Sequence, residues 1–138
     1  MNFEQPPMNS TEEPLEEKAI DNIENPDLKE IQLHIENCAQ LDKKLSALRP
    51  ESIVSGIQQD ELYRIKKYFM NLKDSIVEPS RSIKELDDSG KRALIKDSIE
   101  LEKTLTSIAN KTKGEKISAD DIGIVYEARL FIRDREGL

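Results

Sequence analysis

Apolar residues recur along this chain at intervals of three and four, and that pattern predicts its elements. The clearest stretch is Asp60 to Val77. There Leu62, Ile65, Phe69, Leu72 and Ile76 are spaced 3, 4, 3, 4 and fall on one face of a helix. Two of the three Tyr (Tyr63 and Tyr68) and one of the three Phe lie in the same block, so the core is expected to build on it. The helix should begin near Ile57 or Asp60 and stop at Glu78, ahead of Pro79.

Three more long helices follow from the same periodicity. Asn25-Pro26 is a helix start, with Asn as cap and Pro at the first helical position. The stripe Ile31, His34, Cys38, Leu41, Leu45, Leu48, widened by Leu28 and Ile35, carries that helix to Arg49, where Pro50 ends it. This is a heptad seam of three repeats, which predicts coiled-coil-like packing. A third helix is predicted over 89–112, on Leu94, Ser98, Leu101, Leu105 and Ile108 with Ile95 and Ile99 beside them. Lys111 and Lys113 complement its C-terminal dipole, and Gly114 is the expected left-handed cap. The last helix starts at Ser118, where Ser118 and Asp121 form a capping box with Asp in place of Glu. It runs through Ile122, Val125, Ala128, Leu130, Phe131 and Ile132 to about Arg135, and its wide apolar arc predicts burial from more than one side.

The connections are short. In residues 50–59, Ile53, Val54 and Ile57 are expected to close one end of the core, with Gly56 at a turn. Residues 79–90 leave room for one helical turn around Ile83 and Leu86, before a break at Asp87-Asp88-Ser89-Gly90. No alternating strand pattern competes. The expected fold is all-α: an antiparallel bundle of about four long helices over 25–136, with an acidic N-terminal tail over 1–24 expected to be largely disordered. Within the tail, Leu15, Ala19, Ile20 and Ile23 would share one face of a short amphipathic helix over 15–24. Ten residues alone are marginal as a helix, so the stretch reads either as a frayed extension or as a linear motif that folds onto a partner or onto the chain's own body.

Composition narrows the picture. Hydrophobic and charged residues each make up 36% of the 138 residues, which suits amphipathic helices with solvated outer faces. Aromatics are 4% and Trp is absent, so the core must be mostly Leu and Ile. Residues 1–30 hold nine acids and two bases, and thus the whole net charge of -7; the remaining 19 acids and 19 bases cancel. A neutral body disfavours nucleic-acid binding through a general basic surface. No long apolar run or secretory pattern is present, so a soluble intracellular protein is expected, cytoplasmic or nuclear. The single Cys fits a reducing compartment.

Little in the chain points to chemistry. His34 and Cys38 lie four apart, the spacing of two metal ligands or a Cys–His pair on one helix face, but no second His or Cys exists to complete a site. Both are also seam positions, where packing explains them. The carboxylate pairs Glu12-Glu13 and Glu16-Glu17 lie in the tail, and Asp87-Asp88 and Asp120-Asp121 stand at helix starts, where capping explains them. Ser89-Gly90-Lys91 lacks the strand and first glycine of a phosphate loop. No catalytic residue, cofactor or metal site is expected, and an enzyme is not expected.

The candidates for partner binding are basic and aromatic. Tyr63, Arg64, Lys66, Lys67 and Lys73 lie around the central helix, and Arg129, Arg133 and Arg135 near the end of the last. Read as bundle flanks, they pair with acids on neighbouring helices. Read functionally, they meet an acidic protein, a phosphate backbone, or the chain's own tail. Two functions are consistent with this sequence. One is a non-enzymatic protein–protein interaction module or small subunit of a larger assembly, in which another chain or a second copy completes a seam. The other is an accessory protein of nucleic-acid machinery that uses a local basic strip.

Overall fold

A computed structural model describes residues 26–80 and 85–138 of the chain. The tail over 1–24, with Leu15, Ala19, Ile20 and Ile23, lies outside the described residues, as does Ile83. Four α-helices follow in order: α1 Pro26–Leu48, α2 Gly56–Val77, α3 Asp88–Thr112 and α4 Ala119–Glu136. A 3-10 turn, Arg49–Glu51, follows α1. Among the described residues there is no strand, so the fold is all-α.

Each boundary has a local cause. Pro50 sits in the first turn of the 3-10 segment, where its missing N–H costs nothing, and α1 ends just before it. Ser55 caps α2 and forms a full capping box with Gln58. That box sets the start of α2 at Gly56, ahead of Asp60, and makes Gly56 the first helical residue rather than a turn. The start also corrects the expectation for Ile57. Five residues separate it from Leu62, which is about 140° around a helix, and it is 63% exposed. Val54 and Ile53 close that end of the core without it.

Asp87 caps α3 by accepting from the Gly90 amide at 2.8 Å. Residues 85–87 are not helical and Leu86 is exposed, so the helical turn expected there is absent around Leu86. At the other end of α3 it is Lys113, with φ 54°, that takes the left-handed cap; Gly114 follows, also left-handed at φ 78°. The Ser118–Asp121 capping box opens α4 as expected.

The helices pack α1 on α2, α2 on α3, α3 on α4 and α4 on α1, closing a four-sided bundle. Ion pairs fix the directions. Lys44 near the end of α1 meets Asp121 at the start of α4 (2.8 Å), and Arg135 near the end of α4 meets Asp27 at the start of α1 (3.4 Å). The core is built from Ile31, Cys38, Leu41 and Leu45 of α1, Leu62, Ile65 and Phe69 of α2, Leu94, Leu101 and Leu105 of α3, and Val125, Ala128 and Ile132 of α4. Each fully buried Leu, Ile or Phe contributes about 1.5–3 kcal/mol of transfer free energy. The wide arc of α4 narrows in the structure. Leu130 is two residues from both Ala128 and Ile132, hence on the opposite side, and is exposed, as is Ile99 on α3.

Candidate functional site: the groove between α2 and α3

His34 and Cys38 belong to the core. The His34 ring stacks on Phe69 (centroids 4.6 Å) and meets Phe131 edge-on (5.4 Å). Burial holds its imidazole below the ordinary value, against the opposing pull of Glu30 and Glu127. Burial pushes the Cys38 thiol up to about 12, so it stays protonated at neutral pH and is no thiolate nucleophile. Among the described residues, His, Cys, Asp and Glu form no group of three or more able to hold a metal ion.

The structure instead offers a concave surface on the other flank of α2. A groove of about 680 Å³ runs between α2 and α3. Its α2 wall extends from Tyr63 to Ser75, roughly 18 Å of helix at 1.5 Å per residue. Its α3 wall carries Gly90, Lys91, Leu94 and Asp97, and Arg135 and Glu136 at the end of α4 close one side. Apolar surface comes from the half-exposed Tyr63 (54%) and Leu86 (45%) and from the partly buried Leu72.

Polar pairs brace the groove. Arg64 Nε donates to Asp97 Oδ2 at 2.7 Å, tying the two walls, and that hydrogen bond raises the Arg64 guanidinium further. Tyr68 donates its hydroxyl to Glu136, and Lys91 Nζ lies 2.9 Å from the same carboxylate. Burial alone would raise Glu136. The hydrogen bonds from Tyr68 and Lys91, with the charges of Lys91 and Arg135, outweigh it and hold the carboxyl below its ordinary value. Burial, with the hydrogen bond to Glu136, pushes the Tyr68 phenol well up, so it is a committed donor. The Tyr68–Glu136–Lys91 cluster thus pins α2, α4 and α3 together at the closed side of the groove.

The residues singled out in the sequence scatter. Tyr63, Arg64 and Lys67 line the groove together. Lys66 lies on the α1 side, close enough to Cys38 to act on its thiol electrostatically. Lys73 is buried. Arg129 is largely enclosed, 2.6 Å from Glu102 on α3 and over the Tyr126 ring at 5.4 Å. Arg133 is exposed and far along α4, while Arg135 reaches the groove. Sequence reasoning missed Tyr68, Lys91 and Glu136 as one unit, because they come from three helices and no spacing within one helix announces them. The chain's one signal was Tyr68 itself, a Tyr beside the α2 stripe.

Among the described residues no helix is long and apolar enough to cross a membrane. Compared with known proteins, the chain matches no family model, no curated protein and no solved structure.

Proposed function

We propose that this protein is a non-enzymatic interaction module, a small subunit of a larger assembly, and that the α2–α3 groove receives an amphipathic helix of a protein partner. The observation that carries this reading is the groove itself. It is an open trough of about 680 Å³ between two antiparallel helices, with exposed Tyr63 and Leu86 at its mouth. A helix laid in such a trough would place residues at i, i+3, i+4 and i+7 against the apolar wall. Exposed Tyr is typical of residues that carry binding energy, because it offers large area at low entropic cost. Lys67 has no ion-pair partner among the described residues, and its place on the lining favours a partner helix with acidic flanks.

The test is affinity purification of the tagged full-length protein from its native cells, with and without nuclease, read by mass spectrometry. Stoichiometric protein partners that survive nuclease support the module. Partners that vanish with nuclease overturn it in favour of a nucleic-acid accessory that uses Lys66, Lys67 and Arg133.

A further inference from the structure

The groove lies at the end of the bundle where the chain enters α1. Asp27, the second residue of α1, is 3.4 Å from Arg135, and Arg135 is part of the groove lining. The 25 residues before α1 therefore start one side chain away from the groove. Three steps of chain separate Ile23 from Pro26, a reach of roughly 10 Å when extended.

Those residues carry a pattern that fits the groove in length and in charge. Leu15, Ala19, Ile20 and Ile23 recur at helical spacing, and Leu15 to Ile23 would cover roughly 12 Å as a helix, within the roughly 18 Å of the α2 wall. Residues 12–24 hold six acids (Glu12, Glu13, Glu16, Glu17, Asp21, Glu24) against the single base Lys18. The groove presents Arg64, Lys67, Lys91 and Arg135 against Glu85, Asp97 and Glu136. Two of those carboxylates are already held by groove cations, Asp97 by Arg64 and Glu136 by Lys91. Arg135 is likewise held by Asp27, so an arriving acidic segment meets Lys67 and the outer faces of paired cations, with Glu85 as an opposing charge at the lining.

We infer that residues 15–23 occupy the α2–α3 groove of their own chain, with the Leu15, Ala19, Ile20, Ile23 face against Tyr63, Leu72 and Leu86. The inference rests on the groove's being the recognition surface proposed above, and it makes the tail a competitor that an outside helix must displace. Tethering makes weak contacts sufficient. A tether of a few residues supplies an effective concentration in the millimolar range, so a segment that binds in trans with a Kd of about 100 μM is docked most of the time. The charge contribution is screened as salt rises.

The experiment places a photoreactive benzoylphenylalanine at Tyr63 in the full-length chain and illuminates it in dilute solution. The expected result is a product of monomer mass with crosslinks to residues 15–23, lost in the I20D/I23D variant. A synthetic peptide of residues 12–25 is then titrated against wild type and against full-length I20D/I23D. Occupancy in cis predicts at least tenfold tighter peptide binding to the variant, whose groove is vacated. Equal binding to both chains overturns self-occupancy while leaving the groove a helix-binding surface. Crosslinks only at dimer mass overturn it in favour of a second copy. Absence of both peptide binding and tail crosslinks overturns it outright. The groove reading fails separately, if partner capture survives substitutions in the groove lining.

Discussion

The two flanks of α2 solve different problems with one helix. Toward α1 it presents Leu62, Ile65 and Phe69, all at 1% exposure or less, against a heptad stripe that is nowhere more than 6% exposed. Toward α3 it presents Tyr63, Arg64, Lys67 and Tyr68, and the walls are joined by charge pairs across an open trough. The first flank is held by burial, which is non-directional and large in sum. The second is held by a few directed contacts, Arg64–Asp97 and Tyr68–Glu136–Lys91, each worth little where solvent reaches it. A helix face that spends its apolar area on one neighbour leaves the other side both weaker and free to bind. Stability should therefore track the α1 flank, and recognition the α3 flank.

The largest expected effect breaks the dry flank. Phe69→Ala should cost about 3–5 kcal/mol by leaving a cavity under His34 and Phe131, measured as the shift in urea midpoint at constant m-value; a cost below 1 kcal/mol would mean the stacked cluster is not packed as described. Next comes the brace. Tyr68→Phe removes the hydroxyl that Glu136 accepts from, and should cost about 1–2 kcal/mol. Equilibrium unfolding would check it, and Glu136→Gln in the Tyr68→Phe background should add only the loss of the partly exposed Lys91 pair, about 0–1 kcal/mol, since the Tyr68 bond is already gone.

The dry flank should also be the acid-sensitive one. Folded His34 binds its proton more weakly than it would in the unfolded chain, because burial opposes the charge. Stability from neutral His34 is thus fully present above the unfolded value of about 6.5 and is lost as pH falls through it toward the folded pKa. Unfolding free energies of wild type and His34→Gln, measured from pH 7.5 down to 5, should converge as pH drops. A constant difference would contradict the buried neutral imidazole, which faces Glu30 on its own helix and Glu127 on α4. The smallest effect belongs to the groove mouth. Tyr63→Ala should change stability by no more than about 0.5 kcal/mol, and a larger loss would show Tyr63 to be structural.

Periodicity made the four helices and most of their core faces legible. The stripes through Leu45 on α1, Ile65 on α2 and Leu101 on α3 all point inward, because a repeat near 3.6 leaves a helix one apolar face to bury. Caps were readable where the pattern was explicit, as at Ser118 and Asp121, and were missed at Ser55 and Gln58, a Ser-x-x-Gln of the same kind. Ile57 and Leu130 misled because apolar identity was read without its angle around the helix. The groove was hardly legible at all. Tyr63, Arg64 and Lys67 stood out for their chemistry, yet Lys91, Leu86 and Glu136 join them only through α3 and α4. A concavity between two helices leaves no spacing in either sequence.

The measurement that bears most directly on the division between the two flanks combines both readouts on one variant. Tyr63→Glu with Lys67→Glu changes the charge and shape of the groove mouth while touching no core residue. The full-length variant and wild type would be melted side by side, then used to capture protein partners from native cells under nuclease. The account predicts melting within a few degrees of wild type and loss of the stoichiometric partner. A variant that melts like wild type and keeps its partner would place recognition elsewhere on the bundle and contradict the role given to the α2–α3 groove.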